Sequence, residues 1–180
     1  MTEDIFEKIF KNCKRYSIKE LYNNYNIIPK ERGVYLVECP ENFKVVFSDY
    51  PERELKIKKY FYAAELADKY NRTLNNKILY IGKADIRKNG TALNRRIKEL
   101  IRYGYGEVPN HKGGKVIWQI QNNEQLLVCW ETLDEINRKW NKTFDTAKSA
   151  EQALIDYFYN KYNEYPLANM EERGRYKKHL

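Results

Sequence analysis

Gly33-Val34-Tyr35-Leu36-Val37 and Ile78-Leu79-Tyr80-Ile81, the latter closed by Gly82-Lys83, decide how this chain folds. Each is a short apolar run rich in β-branched and aromatic residues, and such runs read as buried strands. Before the first run, Ile5, Phe6, Ile9 and Phe10 have helical spacing. Ser17 is placed to cap a second short helix through Leu21 and Tyr22, and Pro29 and Gly33 mark the exit. Between the runs, Phe43 to Phe47 reads as a further strand. Pro51 opens a charged stretch that becomes helical around Tyr60 to Tyr70, and Asn71 to Asn76 is a loop. After the second run, a turn at Asn89-Gly90 leads into a helix from Ala92 to Arg102. Gly104 to Gly114 is a glycine-containing loop. Lys115 to Ile120 and Gln125 to Trp130 read as extended, with Trp118 and Trp130 expected in the core. Ser149-Ala150-Glu151-Gln152 has capping-box form and opens a last helix. Glu171 to Leu180 is a charged tail. There is no internal repeat or interdomain linker, so the expectation is one α+β domain over residues 1–180.

Two charges interrupt the helix patterns. On a wheel of the first long helix, Ala92, Leu93, Ile97, Leu100 and Ile101 fill one half. Arg95, Lys98, Glu99 and Arg102 take the other half, but Arg96 falls inside the apolar one. In the last helix the stripe runs through Ala150, Leu154, Ile155, Phe158 and Tyr162, with Glu151 near its middle. A buried charge without a partner is costly, so such residues are paired, metal-bound or facing a polar cleft. An acid and a base placed in this way point to a site for a charged substrate. Plainer readings stand beside that one. Arg96 and Glu151 could pair with each other, Glu151 could sit in a helix first turn for the sake of the macrodipole, and Tyr35 and Tyr80 could be core aromatics.

Composition narrows the class. Basic residues number 33 against 25 acidic ones, a net charge of +8 accompanied by 16 tyrosines and 3 tryptophans. Basic side chains bind phosphates and aromatic rings stack on bases, which favours nucleic acid over a solvated surface only modestly. No apolar run approaches the roughly 20 residues that cross a bilayer, and the acidic, amphipathic start is unlike a signal peptide. Cys13, Cys39 and Cys129 lack metal-ligand spacing and read as reduced thiols of a cytoplasmic protein.

Gly33-Val34-Tyr35 and Tyr80-Ile81-Gly82, with Lys83-Ala84 following, resemble the two namesake motifs of the GIY-YIG nuclease family, which includes an excision-repair nuclease module, homing endonucleases and some restriction enzymes. The order continues with Arg96 in the next helix, Glu151 in a later one and Asn169 after Pro166-Leu167-Ala168. The resemblance spans Gly33 to Asn169. It implies a small central antiparallel sheet flanked by helices, preceded by a helical extension (residues 1–30) and interrupted by an insertion at about 48–76. It also implies endonucleolytic hydrolysis of DNA, most readily double-stranded, with one divalent cation. Glu151 would be the sole protein ligand to Mg²⁺ or Mn²⁺, which chemistry allows because a hard cation accepts one carboxylate plus water and phosphate oxygens. Tyr80 would activate water, helped by Lys83 and by a cation that lowers its pKa, and Tyr35 would position that pair. Arg96 would clamp the phosphate and stabilise its transition state. Gly82 would let the backbone turn beside the phosphate, and Asn169 would support the metal site. Arg95, His111 and Lys112 join Gly82 and Asn169 as nucleic-acid contacts. For His111 the readings are a loop residue at the surface or a proton carrier near neutral pH.

The chain departs from the family pattern in three places. The motifs are separated by the long segment Leu36 to Leu79, where the family uses a short connection, which puts their pairing in question. Arg87 to Thr91 is an extra stretch before the Arg helix. Leu100 stands where many members carry a His or Tyr, a role open to Tyr103 or His111. Two readings from other classes therefore remain: a noncatalytic nucleic-acid-binding domain, and a tyrosine-rich module that binds protein. A homodimer is left open, since one active site cuts one strand.

Overall fold

All six residues of Gly33–Glu38 are buried, as a strand needs when both its faces and both its edges are covered. The computed structural model describes residues 4–49, 61–74, 76–86, 92–107, 111 and 113–169. Along the chain these residues form α1 (Ile5–Phe10), β1 (Tyr16–Ser17), α2 (Ile18–Asn23), β2 (Gly33–Glu38), α3 (Ala63–Arg72), β3 (Ile78–Ala84), α4 (Leu93–Gly104), the single turn α5 (Gly114–Ile117), β4 (Leu127–Thr132), α6 (Leu133–Trp140) and α7 (Ala147–Tyr162). The strands make one antiparallel sheet in the order β1-β4-β2-β3. The long intervening segment does not prevent β2 and β3 from pairing directly, with Tyr35 opposite Gly82. The chain is of the α+β class expected, and α3 is the inserted helix between the two strands.

Side chains alternate across the sheet. Tyr35, Val37 and Tyr80 face a core built with α2, α3, α4 and α5. Val34, Leu36 and Ile81 face a second core built with α1, α6 and α7. A slip of one residue would exchange these sets, so two different cores fix the register. Local chemistry agrees at the helix starts. Asp4 accepts from the Phe6 and Glu7 amides of α1, and Ser17 and Glu20 form a reciprocal capping box on α2. The first amides of α4 donate instead to the Lys30, Glu31 and Pro29 carbonyls, and the Asn94 side chain reaches the Tyr25 carbonyl at 2.7 Å. These bonds aim α4 at the end of β2.

Three local expectations are corrected. Phe43 to Phe47 is not a strand, and among the described residues its pairing is a single bridge from Phe47 to Ile120. Lys115 to Ile120 is not extended either. It contains most of α5, and the Trp118 ring that follows packs on Gly104 so closely that a Cβ there would lie 1.4 Å from it. Finally, α7 starts at Ala147 rather than Ser149. Thr146 accepts from the Ser149 amide, and Asp85 takes the Ala147 amide at 2.7 Å. Glu151 therefore sits in the second turn, which removes the first-turn dipole explanation for it. Pro51, Tyr60, Arg87 to Thr91, Pro109, Lys112 and the tail from Glu171 lie outside the described residues. Among the described residues no helix is long and apolar enough to cross a membrane.

Candidate active site

Tyr35 and Gly82 face each other across β2 and β3, and the ring lies on the glycine. A Cβ at position 82 would be 2.3 Å from Tyr35 Cζ and 2.6 Å from its Oη. Gly82 is thus required by the tyrosine above it, not by a turn beside a phosphate, since β3 continues through Ala84. Two residues back on the same face, the Tyr80 ring meets Tyr35 edge-on, with centroids 5.8 Å apart. Gly113 leaves room for the other side of Tyr80, because a Cβ there would be 2.5 Å from Tyr80 Cζ. Both phenols are buried. The two hydroxyls act on each other, and the Arg96 charge acts on both.

Arg96 projects from the first turns of α4 towards these rings, with about a third of its side chain exposed. Its Nη1 donates to Glu99 at 3.0 Å, and Glu99 also accepts from Arg95 Nε at 2.9 Å. The partner of Arg96 is therefore Glu99, one turn along the same helix, rather than Glu151. Arg95 is more exposed than Arg96 and points along the wet face of α4.

Glu151 approaches from the opposite side of the sheet. Its helix, α7, packs on the other face of the sheet against β2 and β3. Lys83 lies one residue past Gly82, with its ammonium 3.0 Å from the Glu151 carboxylate. β3 is the outer strand, so groups from both faces meet around its edge. The Asp85 bond to α7 fixes the helix start beside the end of the strand. The carboxylate and ammonium remain 15% and 36% exposed, which leaves the pair within reach of a solute.

The electrostatics depart from expectation. Burial pushes the Tyr80 phenol up to about 12. The Glu151 carboxylate adds to that rise, and the Arg96 guanidinium opposes it. Burial likewise holds Tyr35 well above its ordinary value of 10. Tyr80 is thus a neutral phenol at neutral pH, and the lowering that a water-activating role calls for is absent from this arrangement.

His111 is not a surface residue, since only 1% of it is exposed. Its Nδ1 accepts from the Gly114 amide at 3.0 Å, which leaves Nε2 as the protonated nitrogen. That N–H is buried without a partner among the described residues, in a ring set edge-on to Tyr80 with centroids 6.2 Å apart. Burial, and secondarily Arg96, lower its pKa to about 3. It is therefore a buried, neutral imidazole at neutral pH, and the expectation of a surface loop residue is corrected. Leu100 is fully buried, and the polar ring packed beside Tyr80 from this loop is that of His111.

Asn169 supports the site differently from expectation. Its Oδ1 accepts from the Ile81 amide at 3.0 Å and its Nδ2 donates to the Ile81 carbonyl at 2.8 Å, so both amide groups are committed to the backbone of β3. Of the described residues in this cluster, Glu151 is the carboxylate that could hold a divalent cation. No three His, Cys, Asp or Glu side chains converge among the described residues. A single partly exposed carboxylate beside a flexible lysine fits a cation that keeps most of its water. The sequence reading missed Glu99, Asp85 and Lys69. Of these, Lys69 carried a signal, because with Leu66 and Thr73 it marks the buried side of α3, as Arg96 and Glu151 do on their helices. Compared with protein-family models, curated proteins and solved structures, the chain matches none.

Proposed function

We propose that this protein is a divalent-metal-dependent endonuclease of the GIY-YIG type that hydrolyses DNA phosphodiester bonds. The observation that carries the reading is the meeting of Tyr35, Tyr80, Lys83, Arg96 and Glu151, from four separate elements, around the end of one edge strand. Hydrolysis adds water across the P–O3′ bond: the water oxygen joins phosphorus, and a proton ends on the 3′ oxygen. The products are a 5′-phosphate and a 3′-hydroxyl. Arg96, held in place by Glu99, offers two parallel N–H groups to non-bridging oxygens as charge builds on them. Tyr35 and Tyr80 order the attacking water through their hydroxyls. Glu151 would hold a divalent cation, which would supply Lewis-acid polarisation of the phosphate when bound. With Glu151 so neutralised, one of the two causes that raise Tyr80 would be removed, and Arg96 would still lower it. The net charge of +8 supports a polyanionic substrate, with double-stranded DNA as the first choice, and the three free thiols support a cytoplasmic setting.

A second reading, a nucleic-acid-binding domain without turnover, is favoured by the Lys83–Glu151 ion pair and by the raised Tyr80. An end-labelled duplex incubated with the protein and Mg²⁺ separates the two. The hydrolase yields 5′-phosphate and 3′-hydroxyl ends that Glu151→Ala does not produce. The binding domain yields a complex whose affinity falls steeply with salt, and no new ends.

A further inference from the structure

Lys69, on α3, is buried at 1% exposure, an unusual place for an ammonium group. It donates to the Pro166 carbonyl at 3.0 Å and to the Leu167 carbonyl at 2.9 Å. Those carbonyls belong to the segment after α7, and that segment runs along the outer edge of β3. The Ala168 amide donates to the Leu79 carbonyl at 2.8 Å, and Asn169 closes on Ile81 through both atoms of its side-chain amide. The two attachments bracket Tyr80 on either side in sequence. Among the described residues no further strand pairs with this edge, and residues 166–169 take the place of one. Without them the amide and carbonyl of Ile81 and the carbonyl of Leu79 would lose these bonds, and an edge strand with free groups frays readily.

We infer that Lys69 is a positioning residue, through which the inserted helix locks residues 166–169 against β3 and so fixes Tyr80 and Lys83 relative to Arg96 and Glu151. The insertion thereby acts on the chemistry, whether or not it also touches a target. Lys69 itself reaches no reacting atom in this account. The effect on turnover rests on the hydrolase reading, whereas the effect on the strand does not.

The test uses the full chain with Lys69→Met, Lys69→Gln and Asn169→Ser, and with Glu65→Gln on the exposed side of α3 as a control. Amide exchange is followed by NMR at Ile81, Ala168 and, on the central strand, Leu36. Lys69→Met is expected to lose protection at Ile81 and Ala168 and keep it at Leu36, with Lys69→Gln intermediate because its amide still donates. Asn169→Ser should lose protection at Ile81 with Lys69 intact and so calibrates the loss expected when the segment detaches; if Lys69→Met does not fold, Lys69→Gln decides, since wild-type protection at Ile81 and Ala168 in it would overturn the inference. DNA cutting should show kcat lowered by about 10- to 100-fold in Lys69→Met with KM unchanged, and no change in Glu65→Gln. Wild-type exchange at Ile81 in the folded Lys69 variants would overturn the inference, as would loss of protection there with unaltered kcat. If the wild type cuts no nucleic acid, the hydrolase reading fails, and Ile81 exchange alone decides whether Lys69 braces the strand.

Discussion

Lowering the pH from about 7.5 to about 5.0 should weaken the fold through one side chain, His111. In the unfolded chain its imidazole takes a proton near the ordinary value of 6.5, whereas in the folded protein burial holds that step down to about 3. Between these values the unfolded state binds one more proton than the folded state, so stability rises with pH across the window and is lost on acidification. At about 1.4 kcal/mol per pH unit, the loss amounts to about 2 kcal/mol by pH 5.0. The window is clean on its acid side. The carboxylates held low in the folded protein, Asp4, Glu20, Glu99 and Glu107, have ordinary values of 3.8 to 4.5 and lose their contribution below it. The assay is urea denaturation at a series of pH values for the wild type and His111→Gln. Glutamine keeps an acceptor for the Gly114 amide and has no titrating group. His179, outside the described residues, is common to both proteins and cancels. The wild type should lose about 2 kcal/mol more than the variant over this range. Equal losses would refute the placement of His111 as a buried neutral donor and restore it as an accessible proton carrier.

Other consequences follow from the same geometry. Gly82→Ala forces the Tyr35 ring off its seat and should cost about 1–3 kcal/mol in thermal or urea denaturation through overpacking; an unchanged midpoint would mean that the ring does not rest there. At the alkaline end the sign reverses. Tyr80 releases its proton near 10 when unfolded and near 12 when folded, so its contribution is present below about pH 10. About 3 kcal/mol of it is lost as pH rises towards 12, and Tyr80→Phe should flatten that fall. Arg96→Lys keeps the charge but loses the planar fork, and should lower kcat about 100-fold while leaving Kd for DNA within a few-fold; an equal loss in Kd would make Arg96 a binding group only.

The two strands were legible because their apolar runs are continuous and β2 is in fact buried throughout. Arg96 and Glu151 were legible because a charge on an apolar stripe violates a periodic pattern that the rest of each helix obeys. The environment of His111 was not. Its neighbours are Pro109, Asn110, Lys112 and two glycines, a composition that reads as surface, and its burial comes from Tyr80 and Tyr103, distant in sequence. Gly113 and Gly114 permit that fit by leaving room for those rings, a reason that no local rule supplies. The raised phenol of Tyr80 was not legible on similar grounds: the sequence presents the cations near it, whereas burial, the larger influence, is a property of the packed sheet. At α7 two residues competed to cap the helix, and the distant Asp85 carboxylate, by taking the Ala147 amide, accompanies the start at Thr146 rather than Ser149. Lys69 went unnoticed although the wheel argument that singled out Arg96 applies to it.

The central claim is that the cluster around the end of β3 breaks phosphodiester bonds. The most direct test is relaxation of supercoiled plasmid by wild type, Glu151→Ala and Arg96→Ala, each in Mg²⁺, Mn²⁺ and EDTA, with the fold of each variant checked by circular dichroism. The account predicts metal-dependent nicking by the wild type, abolished in both folded variants and in EDTA. A wild type inert on plasmid, single-stranded DNA and RNA in either metal, yet binding them, would contradict it.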